Sequence, residues 1–577
     1  MIIKKITVIC TTVLVETSPQ AMPLGAACIA SAIKNDVQTK NLFEVLLQDF
    51  SREDDYYIEA FKQGGEDSCA KIIAEKLAKK NPFAVAFSVY VWNHKILDKA
   101  AGELKKLCPD CVTIAGGPEV TAAPQNFSNF DYTVAGQGES AVPALLAELC
   151  SENASEVQKD DFIFPIPGVY KKGNFAAENS SFSVFRAVPC SPDSISSPYL
   201  DGTLDPAKYG GALWELARGC PFKCSYCYES KGEKKIAYFP MERLEKEIEL
   251  FAEKKIPQVF VLDPTYNASK ERAIKMLNII RKKAPGMFFY FEARAEFIDR
   301  ELAHAFSKVP CCIQFGLQSS NPAVLKNVHR TLDKKLFSKN IGFLNEEGVT
   351  FGFDLIYGLP GDNFNGFCDS IDFALSLYPN NLELFCLSVL PGTNLHDDAK
   401  NFGMVWDKNP PYHVIKTPFF GEEDLAKAKK LAEATNLFYT QGRAVPWFNA
   451  VLYPLNEKPS DFLWDFANYI EEKNQIPLGS LSSQKITELQ KEFVRQKYER
   501  KRLHKMVAIA EDLIVMNGAL GLCTFDGTES VVTTNYHPDD VMSEYGTDLE
   551  FFSKNAGKQK CRVKIFESKY GADWKTI

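Results

Sequence analysis

Three cysteines, Cys220, Cys224 and Cys227, lie in the run Ala217-Arg218-Gly219-Cys220-Pro221-Phe222-Lys223-Cys224-Ser225-Tyr226-Cys227-Tyr228. Three closely spaced thiolates are one short of the four that close a cubic iron–sulfur cluster, so a cluster held by them keeps one iron open to a small ligand. A structural zinc site also uses clustered thiolates but takes four ligands. No cysteine or histidine follows nearby to supply the fourth; the next cysteine is Cys311. A disulfide framework requires an oxidising compartment. The spacing therefore predicts a [4Fe-4S] cluster, with zinc or buried free thiols as the alternatives.

The C-x3-C-x2-C pattern, with aromatic Tyr226 just before its last cysteine, resembles the signature of radical S-adenosylmethionine enzymes. The resemblance implies that the amino and carboxylate groups of S-adenosylmethionine chelate the open iron. One electron from the cluster then cleaves the sulfonium and leaves a 5′-deoxyadenosyl radical.

The elements around the motif alternate between strand and helix. Strands are predicted at 213–217, 259–262, 288–294, 313–318, 350–357 and 382–390, and helices at 242–254 and 268–283, within a core spanning 206–420. Successive βα units of this length make a partial TIM-type barrel, whose chemistry sits at the carboxyl ends of its strands. The resemblance places Tyr226 beside adenine. It offers Asp263, with Thr265 and Asn267 after it, for the S-adenosylmethionine ammonium or the substrate. The family's Gly-Gly-Glu-type motif is not spelled out. Glu292 and Arg294 share a strand face and either hold the cofactor's polar groups or pair with one another. Gln318 and Ser319 match the ribose and adenine strand, and Gly358 opens a Gly358-Leu359-Pro360-Gly361 turn that lets backbone approach adenine.

Upstream, residues 1–150 show strands at 6–15, 84–90 and 112–115 and helices at 24–33, 95–107 and 141–149. This alternation predicts a doubly wound, Rossmann-like α/β domain, which binds ligands beyond the carboxyl ends of its strands. The loops there, preceding the cysteine motif, resemble the cobalamin-binding domain of cobalamin-dependent radical S-adenosylmethionine proteins. The resemblance implies cobalamin contacts at Ser88, Tyr90, Trp92, Gly117, Pro118, Glu119, Gly136, Gly138 and Glu139. The cobalt-ligating Asp-x-His-x-x-Gly motif of the mutases is absent; His94, the only histidine before residue 300, does not fit it. Tyr90, Trp92 and Asn93 are candidates for the lower cobalt face or for packing at the strand end. No G-x-G-x-x-G opens a helix after the first strand, which counts against a nucleotide-binding domain.

Residues 151–205 read as a linker, with a short hairpin at 164–173. Residues 421–577 read as a mostly helical C-terminal domain with a β-rich tail, including helices at 422–438 and 461–472. His396 and His413 are candidates for general acid/base work, the ordinary role of a histidine side chain, but read as surface or packing residues. The basic stretch 485–505 reads as the solvated face of an amphipathic helix, with a polyanion contact as the alternative.

At 577 residues and a net charge of −8, the chain is multidomain and unlike a dominant nucleic-acid binder, which is basic. Its composition, 24% charged with mean hydropathy −0.18, is that of a soluble protein. The sixteen cysteines are scattered, which suits a reducing cytoplasm. The apolar run 6–15 falls short of the ~20 residues that span a bilayer, no clean cleavage site follows it, and no other segment reads as a membrane span. The resemblance implies a cobalamin-dependent radical S-adenosylmethionine methyltransferase acting on an unactivated carbon or phosphorus centre. A small-molecule or peptide substrate and an external flavodoxin- or ferredoxin-type electron donor go with it. The alternatives are cyclisation or rearrangement, RNA modification, and a non-catalytic cobalamin or redox sensor. RNA methylthiotransferases use a second cluster on N-terminal cysteines, and the separation of Cys10, Cys28 and Cys69 argues against that.

Overall fold

The computed structural model describes residues 5–151, 166–173, 184–229, 235–473, 481–569 and 571–577. Its first layer is a six-stranded sheet of β1 (Ile6–Leu14), β2 (Phe43–Ser51), β3 (Ala84–Ser88), β4 (Val112–Gly116), β5 (Tyr132–Val134) and β6 (Val169–Lys171), in the order β2-β1-β3-β4-β5-β6. All pairs are parallel except β5 with β6. Both faces are covered because successive residues of the inner strands, such as Val8, Ile9 and Cys10 of β1, are apolar and point to opposite faces. Val8 and Cys10 pack against Ala26, Ala30 and Leu145 of helices Leu24–Asn35 and Gly138–Leu149. Ile9 and Val13 pack against Ile73, Leu77, Leu97 and Leu104 of helices Asp55–Ala78 and His94–Leu107.

The order reverses direction between β1 and β3, so the ligand crevice lies at the carboxyl ends of these strands. Two elements escape sequence reading. Strand β2 sits at the sheet edge and carries Glu44, Gln48 and Asp49. Helix Asp55–Ala78 is broken by non-helical Gly64 and Gly65. Of the expected hairpin, 166–173 adds an edge strand to β5, and 164–165 lie outside the described residues.

The second sheet contains β7 (Ala212–Trp214), β10 (Gln258–Val261), β11 (Phe288–Ala293), β12 (Cys311–Gln318), β13 (Thr350–Tyr357) and β14 (Asn381–Cys386), in the order β14-β13-β12-β11-β10-β7 and all parallel. It is an open, partial barrel. The outward positions, such as Phe289, Phe291, Ile313, Phe315, Phe353 and Leu355, are buried under the surrounding helices. The inward positions stay more accessible and include polar Glu292, Gln314, Asp354 and Glu383.

The strand expected at 213–217 divides in two. Past β7 the chain bends, and β8 (Ala217–Arg218) pairs antiparallel with β9 (Ala237–Tyr238). The last barrel strand also ends early, at Cys386, because residues 387–389 turn to bond a returning segment: Val389 N–H donates to Tyr412 C=O (2.9 Å) and Val414 N–H to Leu387 C=O (2.9 Å). That segment forms β15 (Val405–Trp406) and β16 (Val414–Lys416).

Helices Glu422–Thr435, Pro459–Glu472, Ser483–Arg500 and Val507–Asp526 follow, with an antiparallel sheet of β17 (Ser530–Thr534), β18 (Cys561–Ser568) and β19 (Gly571–Thr576). One continuous cluster of buried apolar side chains runs from the barrel into these helices. The basic helix behaves as a solvated face. Ile486, Leu489 and Phe493 are buried, while Lys485 pairs with Glu488, Arg495 with Glu511, and Lys497 with Glu457 and Asp465. One expectation is corrected: Val507–Asp526 is long and apolar enough by length and composition to cross a membrane. Its apolar residues are spread around the axis, and it packs against the basic helix and the C-terminal sheet.

Candidate active site

The three cysteines follow β8 on a loop at the carboxyl end of the first barrel strand; Cys224 is buried and Cys220 and Cys227 are half-buried. The loop's entry is fixed by Asp263, just after β10, whose Oδ1 accepts from the N–H groups of Leu216 (2.8 Å) and Ala217 (3.0 Å). That pair of bonds replaces sheet pairing and causes the break between β7 and β8. Burial pushes the Asp263 carboxyl up to about 7 against the pull of these two donors. Asp263, expected as a cofactor contact, braces the loop through Oδ1.

Downstream, Ser225 N–H donates to Val328 C=O (3.1 Å). Arg330 reaches Cys224 Sγ (3.6 Å) and the Tyr226 hydroxyl (3.4 Å) with Nη1, and donates to Gly316 C=O with Nη2. Arg330 thereby ties Cys224 and Tyr226 of the loop to β12. Burial raises the Cys220 thiol, the Phe222 N–H opposes this, neighbouring Cys224 adds to it, and the Thr265 hydroxyl opposes it.

Arg294 and Glu292 do not pair. Arg294 bonds Glu296 (2.6 Å) and lies 4.2 Å over the Phe222 ring on the cysteine loop, while Asn267 bonds both its N–H and its C=O. Glu292 stays on the barrel's inner face, raised by burial and by Glu229. Asp354 is pushed up to about 7 by burial, with Gln314 Nε2 (2.7 Å) opposing and Glu292 and Glu383 adding to the rise.

A register shift in β12 between Gly316 and Gln318 puts Gln318 at φ +67°. Its amide covers the inner face at Gly316, and among the described residues its buried Oε1 has no hydrogen-bond partner; nor does Arg330 Nε. Ser319 turns away toward Ser370 Oγ (3.4 Å) and the Asn321 N–H (3.1 Å). Gly358 is required by packing: a Cβ there would stand 2.6 Å from Val414 Cγ1 and 3.3 Å from Leu425.

On the other sheet, Ser88 ends β3, and Tyr90 and Trp92 follow it. Tyr90 and Trp92 stack at 4.6 Å, with Trp92 46% exposed. Asn93 is consumed structurally, donating to Thr12 Oγ1 (2.9 Å) and Val13 C=O (3.1 Å) and accepting from Tyr90 N–H (2.7 Å). Gly117 and Pro118 form the turn after β4. Gly117 has φ +108°, and a Cβ there would lie 2.5 Å from Val89 O, so only glycine fits.

Glu119 and Glu139 both lie in ionic or hydrogen-bonded ties to the barrel half. Glu119 Oε2 accepts from the Tyr412 hydroxyl (2.7 Å) and meets His94 Nδ1 (2.7 Å). Glu139 pairs with Arg218 (2.7 Å), which also holds Glu215 (2.9 Å). Gly136 lies against Ala187, and Gly138 begins the helix that carries Glu139. Tyr228, next to Cys227, sits by Gly392, whose Cβ direction also meets Ala122, and accepts from Arg186 (3.4 Å). The cysteine loop thus borders the ligand end of the first sheet. Sequence reading assigned no role to Arg330, Arg218 or Tyr228, because their partners are remote in sequence.

The Radical SAM superfamily model matches residues 214–374, and the B12 binding domain model matches residues 11–146. The chain belongs to the cobalamin-dependent radical SAM family. A third model, Protein of unknown function (DUF4080), matches residues 400–518. This family member is 26% identical to the cobalamin-dependent radical SAM methyltransferase TokK of Streptomyces tokunonensis, over 55% of this chain and 49% of TokK. The match therefore spans about half of that relative's length. The chain shares its fold with TsrM from Kitasatospora setae, solved with cobalamin and a [4Fe-4S] cluster (TM-score 0.52, 17% identity, 71% of this chain and 76% of that one). It also shares the fold of OxsB, solved with aqua-cobalamin and S-adenosylmethionine (TM-score 0.55, 14% identity, 87% and 80%).

The family's cofactors are a [4Fe-4S] cluster, S-adenosylmethionine and cobalamin, and the residues present fit all three. Among the described residues no three His, Cys, Asp or Glu side chains converge on a single-ion site. A cubic cluster instead binds each thiolate at a separate corner, farther apart than the ligands of one zinc. Orphaned Gln318 Oε1 and Arg330 Nε beside Tyr226 suit a polar nucleoside ligand. The exposed indole of Trp92 and the glycine turn at Gly117 suit a broad, flat macrocycle. Cys10, Cys28 and Cys69 are each buried in a different apolar cluster, so this radical SAM chain does not gather them into a second cluster site.

Proposed function

We propose that this chain is a cobalamin-dependent radical SAM methyltransferase, with residues 1–150 holding cobalamin, 206–420 the cluster and S-adenosylmethionine, and 421–577 bracing the barrel's far side. The observation that carries this is the contact between the two halves at the cysteine loop: Arg218, two residues before Cys220, pairs with Glu139 at the head of the cobalamin-side helix (2.7 Å). When bound, the three cofactors together supply a low-potential electron, a carbon-centred radical and a transferable methyl group. Asp263 and Arg330 hold the loop and its thiolates. Gln318 and Tyr226 orient the nucleoside. Glu292, Asp354 and Glu383 line the inner barrel face, where the substrate enters. A small molecule or peptide is the substrate class, in keeping with the methyltransferase relative and the tryptophan-bound form of TsrM.

Methyl transfer produces 5′-deoxyadenosine and S-adenosylhomocysteine in equal amounts when the true substrate is supplied under strong reductant. We expect that balance by chromatography. Deoxyadenosine without S-adenosylhomocysteine would overturn methyl transfer and leave radical rearrangement or cyclisation.

A further inference from the structure

Outside the cysteine loop, the sequence holds one other pair of cysteines at three-residue spacing: Cys108 and Cys111, in Leu107-Cys108-Pro109-Asp110-Cys111. The segment joins helix His94–Leu107 to β4. Pro109 at its second position sets φ for a bend, and the Cys111 N–H closes it by donating to Cys108 C=O (3.1 Å). Closing a four-residue turn brings its first and last Cα atoms to less than about 7 Å. A disulfide spans about 4.4–6.8 Å between Cα atoms.

The turn is braced from outside. Lys105 Nζ donates to Pro109 C=O (2.8 Å) and Cys111 C=O (2.9 Å) and meets Asp131 Oδ2 (3.0 Å). Asp131 Oδ2 also accepts from the Thr113 N–H at the start of β4 (2.9 Å). Both cysteines pack on one apolar cluster, Cys111 within it and Cys108 at its margin, so the two sulfurs lie on the same side of the turn. They differ in access: Cys108 is half-buried and Cys111 is 3% exposed. Burial pushes the Cys111 thiol up to about 12, with Cys108 adding to the rise and Lys105 opposing it. A reagent from solvent therefore meets Cys108 first.

We propose that Cys108 and Cys111 are a reversible modification site: they close to a disulfide when the chain meets a low-molecular-weight disulfide. The Cys108 thiolate attacks one sulfur of that oxidant, whose S–S bond breaks. One small thiol leaves, and its other half stays on Cys108 as a mixed disulfide. Cys111 then gives up its proton, attacks Cys108 Sγ and expels the second small thiol. Two cysteine thiols thus lose two electrons and two protons, and one small disulfide gains them and becomes two thiols. The second step is intramolecular between groups already held together, which favours ring closure over a lasting mixed disulfide. Excess small thiol runs both steps backwards, so the state of the pair follows the disulfide-to-thiol ratio around the chain. When closed, the bond staples the helix end to the start of β4, the strand whose far end leads into the Gly117 turn.

The test holds the full chain without oxygen at graded ratios of oxidised to reduced glutathione and blocks the remaining thiols with iodoacetamide. Mass spectrometry then reads the chymotryptic fragment that carries Cys108 and Cys111. As the ratio rises, the doubly alkylated fragment should give way to an unlabelled one that has lost two hydrogens, and excess reduced glutathione should restore the first. Cys190, half-buried and with no cysteine at that spacing, is the control and should take only glutathione. C111S should trap glutathione on Cys108, whereas C108S should leave buried Cys111 unmodified. A wild-type fragment that stays doubly alkylated while Cys190 has taken glutathione would overturn the pair. So would glutathione that stays on Cys108 at every ratio, or a bond from either cysteine to another part of the chain. The wild-type reading decides by itself, even where a serine variant does not fold.

Discussion

Alanine at Cys220, Cys224 or Cys227 is expected to leave a folded chain that holds no intact cluster. The wild type should carry about four irons, and each variant fewer than one after the same anaerobic reconstitution. The fold tolerates the change because the thiols sit on a loop after β8. The loop's path is set by Asp263 beneath Leu216 and Ala217, by Val328 bonding Ser225, and by the Arg294–Phe222 stack. Each truncation removes one small sulfur, for which about 1 kcal/mol of stability is at stake. Reductive cleavage of S-adenosylmethionine should fall by at least about three orders of magnitude, equivalent to ~4 kcal/mol or more of lost transition-state stabilisation. Cobalamin binding, which depends on the first sheet, should persist. Alanine at Cys311, buried in β12, serves as the control and should keep its iron. A Cys224→Ala variant with full iron and cleavage would remove the cysteine loop from the site.

The second large effect concerns Asp263. Substitution by alanine strands two buried N–H groups, those of Leu216 and Ala217. At about 1–3 kcal/mol for each unsatisfied buried donor, D263A should lose about 2–6 kcal/mol in denaturant unfolding and hold its cluster poorly. D263N keeps an acceptor oxygen and should lose much less. The pH dependence separates the two roles of this acid. Its folded pKa, about 7, lies above its ordinary value of 3.8 because burial disfavours the charge. The folded chain therefore binds the proton more tightly than the unfolded chain. The stability this contributes is full below the unfolded pKa and is lost as pH rises through about 7. Asparagine carries no such penalty, so the thermal midpoint of D263N should gain on the wild type between about pH 5 and about pH 8. A difference constant across that range would contradict the buried-acid account.

Much of the site was legible because its signals are local. The cysteine spacing needs no fold to be recognised, and the barrel strands stood out as β-branched and aromatic runs that must be buried on one face at least. The loops at strand ends then followed from topology. What stayed hidden depends on partners remote in sequence. Arg330 reaches Cys224 across 106 positions and Glu119 reaches Tyr412 across 293, so neither role has a local pattern. Glu139 and Arg218, read apart, are a possible ligand contact and an unremarked residue; together they join the two halves. Asp263 was read as a ligand because strand-end carboxylates often are; that its Oδ1 braces the backbone of Leu216 and Ala217, 46 or more positions away, had no local signal. Gly358 was read as part of a nucleotide turn; that its missing side chain also makes room for Val414 and Leu425 depends on partners remote in sequence. Strand β2 was missed because an edge strand carries polar residues, and helix Val507–Asp526 because its apolar residues lie around the whole axis instead of one stripe.

The central claim is that one chain brings an iron–sulfur cluster and cobalamin to a shared cleft. The most direct measurement is the iron, sulfide and corrin content of the full chain purified without oxygen and reconstituted with iron, sulfide and hydroxocobalamin, with its absorbance spectrum. The account predicts about four irons and four sulfides together with one tightly held corrin, and both cluster and corrin bands in the same spectrum. A colourless protein, or one that retains the cluster but releases all its corrin on gel filtration, would contradict it.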